Sequence, residues 1–161
     1  MPSMASHAGA SIHVALIAVA LNRRSLGSRG VFDLMALILV IDDIAQMRDL
    51  VRRMLERAEH TVIEAEDGAR GLAVFAEQDP AIVITDLLMP KKEGIETIQQ
   101  IRRLRPDAKI IAMSGSEDVR GKSQYLDAAK RLGADAVLAK PFQSAALTAV
   151  VDRLLTASRG A

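Results

Sequence analysis

Five polar residues stand where apolar runs stop. Asp42 and Asp43 follow "LILVI", Asp86 closes "AIVIT", Ser114 comes just past "AKIIAM" and Lys140 follows "AVLA". If these positions share one place in the fold, three carboxylates lie together. Like charges raise one another's pKa, so three close carboxylates cannot all stay ionised without help. A divalent cation removes the difficulty. Mg²⁺ suits such a place, because it prefers oxygen ligands, keeps several waters and needs only one or two protein carboxylates. Lys140 adds a positive charge for a bound anion. An anion held by Mg²⁺, an ammonium and a hydroxyl is most simply a phosphoryl group. Asp86, set inside the otherwise apolar "VITDLLMP", is then the carboxylate placed to accept it.

Taken singly, each residue has a plainer reading. Asp42 and Asp43 could cap the first helix, since Asp is favoured at that position. Asp86 could belong to a turn, Ser114 to an ordinary loop and Lys140 to the solvated surface. The chemical reading therefore depends on the elements that bring them together.

Those elements follow from the hydrophobic pattern. The apolar runs are 37–41, 61–65, 81–85, 108–113 and 136–139, and helical spacing separates them. Met47, Leu50, Val51, Met54 and Leu55 make one helix face; Ala69, Leu72, Ala73 and Ala76 make a second; Ile95, Ile98 and Ile101 make a third. Tyr125, Ala129 and Leu132 predict a fourth helix, closed by Gly133 as a left-handed cap. Leu147, Val150, Val151, Leu154 and Leu155 predict the last. Strands alternating with helices argue for an α/β fold with a parallel sheet covered on both faces. Runs one, three and four are apolar throughout, as central strands must be, and runs two and five suit the edges. The expected order is 2-1-3-4-5, the flavodoxin-like doubly wound arrangement. Working sites in such sheets lie outside the carboxyl ends of the strands, where strand order reverses. All five residues fall on that rim.

Composition narrows the classes further. The 161 residues suit one domain, and 21 basic against 20 acidic residues give a net charge of +1. That balance argues against direct nucleic-acid binding, which needs clustered uncompensated Lys and Arg. The absence of Cys excludes disulfides and thiolate metal sites. Three Phe, one Tyr and no Trp make a poor stacking platform for bases. No apolar run approaches the ~20 residues of a membrane span. His7, His13 and His60 are scattered, which disfavours a histidine metal site.

The first 34 residues carry no acid before Asp33 and are rich in Ser, Ala, Gly and Arg. An Arg- and Ser-rich, acid-poor stretch can be a targeting segment. We read residues 1–34 instead as a disordered extension or sequence upstream of the true start, residues 35–157 as the domain, and 158–161 as a short tail. No output domain is expected after the last helix.

The segments "LILVIDDIAQMRDLVRRML", "VITDLLMP", "IIAMSGS" and "GADAVLAKPF" together resemble the receiver domain of two-component response regulators, from about Ala36 to Leu155. The resemblance implies that Asp86 is the phosphoacceptor, that Asp43 binds Mg²⁺ directly and that Asp42 acts through a metal-bound water. It implies that Leu88 offers the metal its backbone carbonyl and that Ser114 is the switch hydroxyl. Lys140 would pair with a phosphoryl oxygen, and Lys140-Pro141 would be cis. It further implies a cytoplasmic phosphorelay protein without enzymatic turnover of its own. Its donor would be a histidine kinase or histidine phosphotransfer protein, and its output would pass to a downstream protein target, through the face formed by the fourth helix, fifth strand and fifth helix. Two departures stand out. Val137 replaces the family's aromatic residue three positions before the lysine, and "SEDVRGKSQ" lengthens the segment after Ser114, which makes that loop the candidate route of signal transmission. Other classes fit less well. An aspartyl phosphatase would want a second Asp at position 88, a flavodoxin would want a Ser/Thr-rich loop and flanking aromatics, and a phosphate-free interaction module would not need the acid set.

Overall fold

The computed structural model describes residues 35–90, 93–115, 127 and 129–157. Strands β1 (Leu37–Ile41), β2 (Thr61–Ala65), β3 (Ile82–Asp86), β4 (Lys109–Ser114) and β5 (Ala136–Ala139) form one parallel sheet in the order β2-β1-β3-β4-β5. The described helices are α1 (Ala45–Arg57), α2 (Gly68–Gln78), α3 (Glu93–Leu104) and α4 (Ser144–Ala157). Between β4 and β5, Asp127 and 129–131 are helical, and the turn ends at Gly133 with φ 107°. There Ala134 N–H reaches back to Ala129 O at 2.9 Å, the six-to-one bond of a glycine-terminated helix. The loop expected to carry the signal falls outside the described residues beyond Gly115, as does Tyr125.

The strand pattern explains the order. Every residue of β1 and β3 is buried, and all but Lys109 of β4, whereas β2 and β5 keep partly open positions at the two edges. One core lies between the sheet and α2 and α3, around Leu39, Phe75, Ile98 and Ile101. The other lies against α1 and α4, around Ile38, Val51, Leu55, Leu147 and Val151. Among the described residues no helix is long and apolar enough to cross a membrane.

Two helix faces differ from the periodic expectation. In α2 the buried residues are Gly68, Gly71, Val74 and Phe75, while Ala69, Ala73 and Ala76 face solvent. Burying Val74 and Phe75 removes far more apolar area than burying alanines, so the bulky pair sets the helix rotation. Gly71 permits it: a Cβ there would lie 2.4 Å from Cδ1 of Ile41. In α1, Leu50 is exposed and Val51 and Leu55 carry the contact with the sheet.

The rim at the amino ends of the strands is held by arginines. Arg102 of α3 donates from Nε and Nη2 to Gly133 O, from Nη1 to Pro106 O and Ala108 O, and from Nη2 to Asp135 Oδ2 at 2.7 Å. Asp135 Oδ2 also accepts Ile110 N–H at 2.8 Å. Arg105 lies 4.3 Å over the Phe75 ring and pairs with Asp79, joining α3 to the end of α2.

Candidate functional site

At the opposite rim, each polar residue is set by its strand. Strand β1 ends at Ile41, and Asp42 N–H still bonds Ala65 O of β2 at 3.2 Å. The chain then turns: Asp42 Oδ1 accepts Ile44 N–H at 2.9 Å. Helix α1 begins at Ala45 with Ile44 as its N-cap residue and no side-chain cap bond. Neither Asp42 nor Asp43 caps that helix, so the plainer reading of the pair is overturned. Asp86 is the last residue of β3, with Met113 as its register partner. Ser114 is the last residue of β4, opposite Ala139. The β4–β5 ladder continues past β5, because Lys140 N–H bonds Ser114 O at 2.7 Å, and this holds Lys140 at the rim. The Lys140-Pro141 peptide is cis.

The side chains converge. Lys140 Nζ lies 2.9 Å from Asp42 Oδ2 and 3.3 Å from Asp86 Oδ2, so one ammonium bridges two buried carboxylates. Carboxylate oxygens of Asp42, Asp43 and Asp86 all lie within 4.8 Å of one another. Asp42 and Asp86 are buried, whereas Asp43 is exposed and makes no hydrogen bond or ion pair with the described residues. Leu88 follows at the mouth with its side chain half exposed, and its N–H approaches Asp86 Oδ1 at 3.4 Å. Ser114 is buried at the end of β4, and among the described residues its hydroxyl makes only a long 3.5 Å contact, to Gly115 O. Burial pushes the Asp86 carboxyl above its ordinary value; Lys140 opposes this and Asp42 adds to it.

Helix α3 starts hard against the same residue. A Cβ on Gly94 would stand 2.0 Å from Asp86 O and 2.8 Å from Leu87 Cα. Only a glycine lets the helix come this close. Leu87 N–H bonds Met113 O at 2.9 Å, so the backbone on either side of Asp86 is fixed before any ligand arrives.

The donor set fits Mg²⁺. It is made of oxygens, one ammonium pairs with two of the three carboxylates, and among the described residues no donor meets the Asp43 oxygens. Asp42, by contrast, has one oxygen on Ile44 N–H and the other on Lys140. Sequence reasoning missed one contributor, Arg48, whose Nη1 donates to Asp42 O at 2.7 Å. An arginine one turn into a helix that follows an acidic turn was a visible signal, one of four arginines in α1.

Comparison with known proteins agrees with this geometry. The model of the family described as response regulator receiver domain matches residues 38–152. The chemotaxis protein CheY of Halobacterium salinarum is 32% identical over 120 residues, covering 74% of this chain and 97% of that protein. The response regulator MprA of a Mycobacterium species is 35% identical over 118 residues, which are 73% of this chain and 50% of that protein. The chain thus spans nearly all of one curated relative and about half of the other. Among solved structures, a response regulator receiver domain protein of Clostridium thermocellum matches with a TM-score of 0.71 at 28% identity, covering 78% of this chain and 98% of that one. The receiver domain of NtrX from Brucella abortus gives 0.68 at 28% identity, over 74% and 98%. By family match, sequence and fold alike, the chain belongs to the response regulator receiver domain family.

Proposed function

We propose that Asp86 accepts a phosphoryl group from a histidine kinase or histidine phosphotransfer protein in a Mg²⁺-dependent phosphorelay, with residues 35–157 as the working unit. The observation that carries this reading is one ammonium bridging two buried carboxylates, with a third, exposed carboxylate beside them. In the transfer, an ionised Asp86 oxygen attacks phosphorus. The bond from phosphorus to the donor imidazole nitrogen breaks, and that nitrogen keeps the electron pair. Asp86 becomes an acyl phosphate. Asp43, Asp86 and the Leu88 carbonyl, with Asp42 behind them, would hold Mg²⁺, which would supply charge neutralisation at the phosphoryl oxygens. Lys140 is placed to leave its carboxylate contact for a phosphoryl oxygen, and the weakly bonded Ser114 hydroxyl to donate to another. Neither group has to be brought in from elsewhere in the fold, which favours electrostatic stabilisation of transfer.

Output through contacts with a downstream protein is part of the same proposal. Its support is the match to the receiver family. Incubation with a radiolabelled small phosphodonor tests the reading. Asp86→Asn should lose hydroxylamine-sensitive label, and EDTA should suppress it in the wild type. Equal labelling of wild type and variant would overturn it.

A further inference from the structure

Asp43 poses a question that its own contacts do not answer. It makes no hydrogen bond or ion pair with the described residues, yet its carboxylate lies in the acid cluster. Its place must come from its backbone. The peptide that joins Asp42 to Asp43 starts from the Asp42 carbonyl, just past the end of β1. That oxygen accepts Arg48 Nη1 at 2.7 Å. Arg48 is held from its other side, since its Nε lies 3.5 Å from Glu64 Oε1 on β2. Glu64 is the register partner of Val40, two residues before Asp42, and also pairs with Arg52 one turn further along α1. The Arg48 side chain is only 16% exposed, so the guanidinium is confined between α1, the strand-end carbonyl and β2.

We propose that Arg48 is a positioning residue for the metal site, a reading that rests on the phosphoacceptor function above. By fixing the Asp42 carbonyl, it fixes the tilt of the next peptide plane and so aims the Asp43 carboxylate at the cluster. Arg48 touches no carboxylate of the cluster itself. Groups that orient a metal's direct ligands typically change metal affinity by ~10–100-fold when removed.

The sign of the effect separates this role from simple electrostatics. A cation near a Mg²⁺ site repels the metal, so losing the charge of Arg48 would tighten binding if charge were its contribution. Losing a positioning residue loosens binding instead. The test uses the full chain with Mg²⁺ alone, titrated by calorimetry and by the Mg²⁺-dependent rise in melting temperature. Arg48→Met should raise the Mg²⁺ dissociation constant by ~10-fold or more. Arg48→Lys keeps one donor able to reach the carbonyl and should recover part of the loss, and it serves equally if the Met variant folds poorly. Labelling by a small phosphodonor should need more Mg²⁺ in Arg48→Met yet reach a near-wild-type rate at saturation. Unchanged or tighter Mg²⁺ binding in both variants would overturn the proposal, and so would a labelling defect that saturating Mg²⁺ leaves in place. If wild-type protein failed to take label, the phosphoacceptor reading would fall first, and the Mg²⁺ titrations would still decide the role of Arg48.

Discussion

Replacing Lys140 by Met should destabilise the metal-free protein strongly and the Mg²⁺-bound protein much less. The lysine ammonium is 2.9 Å from one buried carboxylate oxygen and 3.3 Å from another. At an effective dielectric constant of about 20, each contact corresponds to roughly 5–6 kcal/mol of gross attraction. Most of that is offset by the cost of holding the charges out of water. Removing one partner of a buried pair costs about 3–5 kcal/mol, because it leaves a buried charge uncompensated. Asp86 can relieve part of this by taking up a proton, so the net loss should be about 2–4 kcal/mol. For a domain of this size that corresponds to a fall in melting temperature of roughly 8–15 °C. Mg²⁺ supplies the missing positive charge, so saturating Mg²⁺ should shrink the loss by at least half. By reciprocity, the variant should bind Mg²⁺ more tightly than the wild type. Thermal melts followed by circular dichroism, in EDTA and in Mg²⁺, measure both quantities. An equal loss in the two conditions, or no loss in EDTA, would refute the claim that Lys140 and Mg²⁺ neutralise the same carboxylates.

Three further outcomes follow from the geometry. Gly94→Ala should cost about 1–3 kcal/mol of stability through overpacking, and should slow labelling of Asp86, since the new methyl meets backbone rather than a yielding side chain; urea melts and phosphodonor labelling measure the two effects. His60 is buried, with no hydrogen-bond partner for Nδ1 among the described residues, and burial holds its pKa below the ordinary 6.5, with Asp152 only partly opposing. The unfolded chain therefore takes the proton first, so this contribution to stability is complete above pH 6.5 and is lost as pH falls through the lowered folded value; the urea midpoint of His60→Leu should fall less than that of the wild type below that pH. Arg102→Ala breaks five hydrogen bonds and should cost about 2–3 kcal/mol, with the initial rate of Asp86 labelling unchanged, because Arg102 acts at the far rim.

Much of this could be read before any coordinates. The run "LILVI" is β1 to the residue, and the polar positions that follow the apolar runs do meet at one rim. Strand order followed from which runs were apolar throughout, because burial on both faces leaves a mark on every residue of a central strand. What periodicity misjudged was weight. In α2, counting alanines as equal to Val74 and Phe75 rotated the helix away from its true face. In α1, Leu50 fits the apolar spacing and still faces solvent. Contacts between distant residues were also out of reach as geometry: nothing local to Asp42 announces an ion pair with a lysine 98 positions on. Arg48 stood in view as one of four arginines in α1, but nothing singled it out, since its partner is a backbone carbonyl and carbonyls have no letter in a sequence.

The arginine-held rim gives the domain an anchored end. Arg102 ties α3 to the chain entering β4 and to the chain entering β5, so those two strands are clamped where they begin. Their other ends carry Ser114 and the approach to Lys140. Strand β5 has four residues, a lever of about 13 Å, so a 1 Å pull at its tip is a tilt of only about 4°. A clamped lever turns such a pull into rotation, whereas a free strand would simply slide along its neighbour. The residues that make this end rigid therefore fix the pivot for any movement of β5 started at Lys140, and with it the direction in which that movement would emerge on the edge of the sheet.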